Sequence, residues 1–141
     1  EGHASIVSTT GNPHGHLVLR GGNRGSNYHL EAVQAAAAEL SQAGLKDRLM
    51  VDCSHANSNK DFRRQSDVLK AVADQLRAGS AYMMGVMIES HLVEGNQKLN
   101  PDLSQLTYGQ SVTDACISIE TTAELLSDLA KAVAGRKAVA V

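Results

Sequence analysis

Aromatic residues are scarce in this sequence, which has no tryptophan, one phenylalanine and three tyrosines among its 141 residues. A hydrophobic core must therefore be built from alanine, valine, leucine, isoleucine and methionine, and such side chains suit the packing of helices on a sheet. A single domain of this length buries about 70% of the surface that its unfolded chain exposes. The length thus allows one domain, residues 1–141, with a core of its own.

Long apolar runs and clusters of positive charge are also missing. The longest apolar run, residues 81–88, is much shorter than the roughly 18 residues that a membrane helix requires. The net charge is -2, and no basic run is longer than Arg63-Arg64. Electrostatic binding to nucleic acid or to a membrane surface is therefore not expected, and small molecules are the predicted partners.

Cysteine is rare as well. Cys53 and Cys116 form no CxxC motif, and no secretory leader precedes them, which predicts a reduced, cytoplasmic protein. The chain begins with Glu1 rather than methionine, and we expect it to be a piece of a longer protein.

The apolar periodicity predicts strands and helices in alternation. Residues 2–10 are expected to form a short helix and residues 11–13 a turn, residues 91–113 are expected to be a long loop that is functional or disordered, and the tail from Gly135 is expected to fray. The last helix is expected to be capped at Thr113-Asp114 or at Thr121-Thr122. The remaining predicted elements are strands at residues 16–20, 48–55 and 81–90, helices at 30–43 and 61–78, and a final helix with the apolar stripe Leu125, Leu126, Leu129 and Val133. This order is typical of an α/β fold with a parallel sheet.

A polar residue ends each predicted strand, and the spacing is nearly constant. Arg20 and His55 are 35 residues apart, and His55 and Glu89 are 34 residues apart, which matches the length of a βα unit. Because parallel strands end at the same edge of a sheet, we expect these side chains to lie near one another.

The residue types at these positions suggest a binding site. One imidazole and two carboxylates, from His55, Glu89 and Asp114, would suit a divalent ion such as Mn²⁺, Fe²⁺, Co²⁺ or Zn²⁺. The planar guanidinium of Arg20, followed by two glycines, would suit a phosphate or carboxylate group.

Each of these residues also has a simpler interpretation. His55 could be a solvated loop residue, Arg20 and Glu89 could pair with each other, and Asp114 could cap a helix. Cys53 is expected to be inert packing inside a strand, and no base lies near Cys116 in the sequence.

Four segments resemble the C-terminal part of the class I 3-deoxy-D-arabino-heptulosonate 7-phosphate (DAHP) synthases. These segments are LRGG at residues 19–22, DCSHANSNK at 52–60, GVMIESHLVEGNQ at 85–97 and LTYGQSVTDACI at 106–117. The resemblance implies a (β/α)₈ TIM barrel, of which this chain would supply about three βα units. It also implies the condensation of phosphoenolpyruvate with erythrose 4-phosphate, with release of phosphate, by a metal-dependent enzyme.

The resemblance assigns roles to individual residues. His55, Glu89 and Asp114 fall on the family's metal ligands, Arg20 falls on the arginine that binds the phosphate of phosphoenolpyruvate, and His55 and Asp114 are expected to act in catalysis. The family's fourth ligand, a cysteine, lies upstream, and neither cysteine of this chain stands at its position. We therefore expect the 141 residues alone to be inactive, and to pair their open sheet edges in a homo-oligomer.

Two other functions stay open at this point. One is the related synthase that makes 3-deoxy-D-manno-octulosonate 8-phosphate from arabinose 5-phosphate. The other is a non-catalytic α/β binding module that retains the residues at the strand ends.

Overall fold

The three predicted strands form one parallel sheet in chain order. The computed structural model describes Gly2 and residues 4–136, and it places β1 at Leu17–Leu19, β2 at Leu49–Asp52 and β3 at Met83–Met87. β2 lies between β1 and β3 and pairs in parallel with both. The predicted mixed α/β fold is confirmed. Each strand is shorter than predicted.

Two helices connect the strands. α1 (Leu30–Gln42) ends before Gly44, whose positive φ of 71° is a conformation that glycine adopts easily. α2 (Gln65–Arg77) follows a 3₁₀ turn at Phe62–Arg64. The stripe predicted for α2 is buried as expected, and it consists of Val68, Leu69, Val72 and Leu76.

The last helix, α3 (Ile119–Ala134), packs against α2. Both predicted caps are wrong, because Ser118 caps this helix and its hydroxyl accepts a hydrogen bond from Thr121 N at 3.2 Å. Ile117 and Ser118 pair with another strand, so the chain is still extended at the point where the sequence pattern suggested a helix.

The inward face of α3 also differs from the predicted stripe. Leu125 and Leu129 pack on the core as expected, whereas Leu126 is 49% exposed and Val133 is 57% exposed. The helix turns its smaller residues inward instead, burying Thr122 and Ala132.

The segment predicted to be one loop contains short strands. β4 (Ser90–His91) pairs with β7 (Ile117–Ser118), and β5 (Val93–Asn96) pairs with β6 (Gln110–Ser111). A 3₁₀ turn at Leu103–Gln105 lies between β5 and β6. Pairing between such short, polar segments leaves no periodic signal in the sequence, which is why the prediction missed it.

The sequence also predicts structure for the segments near the two ends of the chain. No helix occurs at residues 4–10, so that prediction is wrong for the described residues, whereas a turn does occur near Pro13, where Gly15 N donates to Asn12 O at 3.3 Å. Gly135 ends α3, and residues 137–141 of the predicted frayed tail lie outside the described residues.

The core lies between the sheet and its helices and is aliphatic, as the composition required. Its fully or almost fully buried members are Leu19, Val33, Leu49, Val51, Cys53, Val68, Leu69, Val72, Ala73, Leu76, Met83 and Ala132. No helix in the described part of the chain combines the length and the hydropathy that a bilayer crossing requires.

Candidate metal centre

Three of the predicted site residues lie together. His55, Glu89 and Asp114 each offer one potential ligand atom, and these atoms all lie within 4.8 Å of one another. His55 follows β2, Glu89 follows β3, and Asp114 lies between β6 and β7. The structure therefore brings together an imidazole and two carboxylates from segments that are far apart in the sequence.

His55 is held by a carboxylate on one side of its ring. Nδ1 lies 2.7 Å from Oδ2 of the buried Asp52, and Nε2 lies 3.6 Å from Oε1 of Glu89. The backbone of His55 has a φ of +50°, a conformation that is uncommon for a residue with a side chain. His55 O accepts hydrogen bonds from Lys60 N at 2.8 Å and from the Ser58 hydroxyl at 3.2 Å. These bonds hold the loop in a compact turn.

Glu89 is fixed through both its backbone and its side chain. The fully buried Gln65, at the start of α2, donates to Glu89 O at 3.1 Å and accepts from Glu89 N at 2.8 Å. The hydroxyl of Ser54 donates to Oε2 of Glu89 at 2.6 Å. Oε2 of Glu89 thus accepts a hydrogen bond, and Oε1 faces His55.

Asp114 has less support. It is exposed, and the loop that carries it is held by a hydrogen bond from Asn96 Nδ2 to Thr113 O at 2.8 Å and by one from Thr113 N to Ser111 Oγ at 3.1 Å. Asp114 does not cap a helix, because α3 begins only at Ile119. Its carboxylate is free to meet a ligand or solvent.

The charges of this group favour a cation. The carboxylates of Glu89 and Asp114 lie close together, and no lysine or arginine among the described residues forms an ion pair with either of them. Two negative charges at such a separation repel by about 3 kcal/mol at an effective dielectric constant of 20, and by less where solvent screens them. A divalent ion would remove this repulsion, so the donor set fits a metal.

Arg20 lies directly after β1 and is exposed. It forms no ion pair with any described residue, so the simpler interpretation of an Arg20–Glu89 pair is not what the structure contains. Gly21 has a φ of +72°, and a Cβ at this position would lie 2.8 Å from the Cβ of Ala56. The loop after Arg20 therefore packs tightly against the loop that carries His55.

Asn57 joins these two loops. The residue is 2% exposed, and its side-chain amide donates to Leu19 O at 3.0 Å and to Asp52 O at 2.8 Å, at the ends of β1 and β2. Its side-chain oxygen accepts from Asn27 N at 2.8 Å, and Asn27 in turn accepts from Gly21 N at 2.7 Å. Asn57 therefore holds the ends of β1 and β2 and the loops that follow them together.

Sequence reasoning missed Asp52, Ser54 and Gln65, which contact the candidate ligands. Asp52 carried a usable signal, because an acidic residue at the end of an apolar strand is unusual and is buried here. Gln65 carried no such signal, since a glutamine at the start of a helix is ordinarily exposed.

The cysteines contribute no ligand to this group. Burial, with a smaller effect of the Asp52 charge, raises the pKa of Cys53 to about 12, as expected for an inert thiol. Burial also raises the pKa of Cys116, and the nearby charge of Glu89 adds to that rise.

Comparison with known proteins identifies the family of the chain. The model of the DAHP synthetase I family matches residues 1–127. A Tyr-sensitive phospho-2-dehydro-3-deoxyheptonate aldolase of Salmonella typhimurium is 49% identical over 140 residues, which cover 99% of this chain and 39% of the relative. A phospho-2-dehydro-3-deoxyheptonate aldolase of Haemophilus influenzae is 48% identical over 136 residues, covering 96% of this chain and 37% of the relative.

The similarity extends to three dimensions. The solved structure of phospho-2-dehydro-3-deoxyheptonate aldolase from Francisella tularensis superimposes with a TM-score of 0.86 at 46% identity, covering 94% of this chain and 38% of that one. The chain thus spans about two fifths of the length of the relatives that it matches. The match of sequence and fold over nearly the whole chain shows that it belongs to the DAHP synthetase I family.

Proposed function

We propose that this chain is the C-terminal part of a DAHP synthase, a transferase that condenses phosphoenolpyruvate with erythrose 4-phosphate and releases phosphate in the first step of the shikimate pathway. The observation that carries the proposal is the meeting of His55, Glu89 and Asp114 within 4.8 Å in a member of this family. The relatives described above carry the heptonate name, which favours the seven-carbon product over the eight-carbon one.

The proposed architecture is a slice of a (β/α)₈ barrel. Three adjacent parallel strands in chain order, with α1 and α2 between them, are the arrangement that such a barrel repeats. In barrels of this kind the reactive residues lie at the carboxyl ends of the strands, where Arg20, His55 and Glu89 are found.

His55, Glu89 and Asp114 would hold the metal. One nitrogen and two carboxylate oxygens are hard to borderline donors, compatible with Mn²⁺, Fe²⁺, Co²⁺ or Zn²⁺. When bound, such an ion supplies a Lewis acid that polarises an aldehyde oxygen.

The other contributions come from the chain itself. The exposed guanidinium of Arg20 would bind the phosphate of phosphoenolpyruvate as a fork of parallel donors, which orients the substrate and offsets its charge. His55 and Asp114 are assigned to catalysis as ligands of the ion that would polarise the aldehyde, and Asp114 is exposed to solvent. Asn57 would hold the loop that carries Arg20 against the loop that carries His55.

The remaining proposals concern the partners, the location, the oligomeric state and the activity of the chain by itself. The proposed partners are phosphoenolpyruvate and erythrose 4-phosphate, the proposed location is the cytoplasm, and the chain is expected to form a homo-oligomer through its open sheet edges. The 141 residues alone are expected to release no phosphate from the two substrates, because they lack the family's upstream cysteine ligand and further phosphate-binding residues. Release of phosphate at the rate of a complete synthase would contradict this expectation.

Metal titration tests the proposed site. Binding of Co²⁺ or Mn²⁺ to the chain, measured by calorimetry, should weaken at least tenfold in His55→Ala, because one of three ligands is lost. His16→Ala is the matched control, since His16 is exposed, lies before β1, and should leave the affinity unchanged. Equal affinity in the two variants would favour a binding module without this site.

A further inference from the structure

The buried carboxylate of Asp52 is close to the candidate ligands without being one of them. Asp52 ends β2, is 1% exposed, and accepts a hydrogen bond from Ser54 N at 2.8 Å through Oδ1. Its other oxygen, Oδ2, lies 2.7 Å from Nδ1 of His55. A buried carboxylate needs partners for its oxygens, and these two contacts supply them.

The contact with Asp52 determines which ring nitrogen of His55 carries the hydrogen. A neutral imidazole has one N–H donor and one acceptor nitrogen. An ionised carboxylate only accepts, so the nitrogen beside it, Nδ1, must be the donor. The lone pair then belongs to Nε2, which faces Glu89 Oε1 at 3.6 Å and so points into the group of candidate ligands.

We propose that Asp52 is a positioning residue that holds His55 in the Nδ1–H tautomer, with Nε2 turned towards the metal site. This inference rests on the proposed function, because the direction of Nε2 matters only if a metal binds there. The tautomer itself does not require a metal. Hydrogen bonds of this kind fix the orientation of a ligating imidazole and raise its basicity. Two nearby residues of the same segment thus support two different candidate ligands: Asp52 contacts His55, and Ser54 donates to Glu89.

Replacement of Asp52 by asparagine tests the proposal. Asparagine has nearly the same shape but only one acceptor oxygen, whereas Asp52 accepts from both Ser54 N and His55 Nδ1. If the amide oxygen of the variant keeps the bond from Ser54 N, its NH₂ group faces Nδ1 and can only donate, so a bond to His55 then requires the Nε2–H tautomer. Asp47→Asn is the matched control, because it makes the same change of charge at a residue that precedes β2, at the other end of the strand.

The first measurement is ¹⁵N NMR of the histidine rings in the metal-free chain at about pH 9, which is well above the ordinary histidine pKa of about 6.5. The wild-type chain and Asp47→Asn should show the Nδ1–H tautomer of His55, and Asp52→Asn should show a mixture or the Nε2–H form. The ring of His29, whose Nε2 contacts Ser26 at 3.3 Å, is an internal control that should not change. An Nε2–H tautomer in the wild-type chain would overturn the inference even if the variant did not fold.

The second measurement is the affinity for Co²⁺. Asp52→Asn should bind it about 10–100-fold more weakly than the wild-type chain, as is typical when a partner of a ligating histidine is lost, while Asp47→Asn should bind it equally. If the wild-type chain binds no metal, the proposed function fails, and the tautomer measurement still tests Asp52. If the wild-type chain binds Co²⁺ and Asp52→Asn binds it as tightly, the positioning role is refuted.

Discussion

Replacement of Asn57 by alanine should destabilise the chain, because this buried side chain links the ends of β1 and β2. The substitution removes three hydrogen bonds and leaves Leu19 O, Asp52 O and Asn27 N without their partner. The two carbonyl groups lie at the ends of neighbouring strands, where the side chain of Asn57 excludes water. Both strands would therefore lose a shared contact at the edge that carries the candidate site.

The size of the effect follows from these contacts. A buried polar group that loses its partner costs about 1–3 kcal/mol, and water can replace part of the bond at the half-buried Asn27. We therefore expect a loss of about 3 kcal/mol in the free energy of unfolding, which corresponds to a melting temperature about 6–12 °C lower for a chain of this size. Such a loss is a large share of the stability of an ordinary domain.

Thermal and urea unfolding, followed by circular dichroism at one fixed protein concentration, would measure the change. Asn23→Ala is the matched control, because Asn23 is exposed and its side chain forms no hydrogen bond with any described residue, so its effect should stay within about 0.5 kcal/mol. Asn57→Asp adds a second test, since it keeps the shape but places an acceptor against the two carbonyl groups. Asn57 variants as stable as Asn23→Ala would refute the role assigned to this amide.

Two further predictions concern the packing between the loops and the reactivity of the thiols. Gly21→Ala should destabilise the chain by about 1–3 kcal/mol, because its φ of +72° is strained for alanine and the new Cβ would lie 2.8 Å from the Cβ of Ala56. At Gly22 a Cβ meets nothing within 4 Å, so Gly22→Ala should have little effect in the same unfolding assay, and equal melting temperatures for the two variants would contradict the predicted clash. The pKa of about 12 leaves Cys53 about one part in ten thousand thiolate at pH 8, so a disulfide reagent should label only the partly exposed Cys116 in the native chain. Peptide mapping that finds Cys53 labelled before unfolding would show that this thiol is more accessible than its burial indicates.

The regular elements of the fold could be predicted because their patterns are local. The alanine-rich and apolar periodicity of α1 and α2 was sufficient to locate both helices, and Gly44 marked the end of α1 correctly. The start of α3 could not be located in this way. It depends on the pairing of β7 with β4, which are separated by a long polar segment.

The residues of the candidate site could likewise be predicted from local patterns, but the distances between them could not. His55 and Glu89 stood out because each is a polar, ionisable residue at the end of a predicted strand, and Asp114 was added as a second carboxylate on residue type and then through resemblance to a family. Their mutual distance depends on the sheet and on the short strands β5 and β6, which position the loop of Asp114.

Residue type and spacing were enough to predict the α/β alternation, the aliphatic core and the candidate ligands, because burial and side-chain chemistry follow from them. The groups that support these ligands became clear only from the folded chain. Gln65 reaches Glu89 across 24 residues, and Asn57 reaches Leu19 across 38. Contacts of this kind form only after the strands have aligned, since a hydrogen bond depends on distance and direction in space and leaves no periodic trace along the chain.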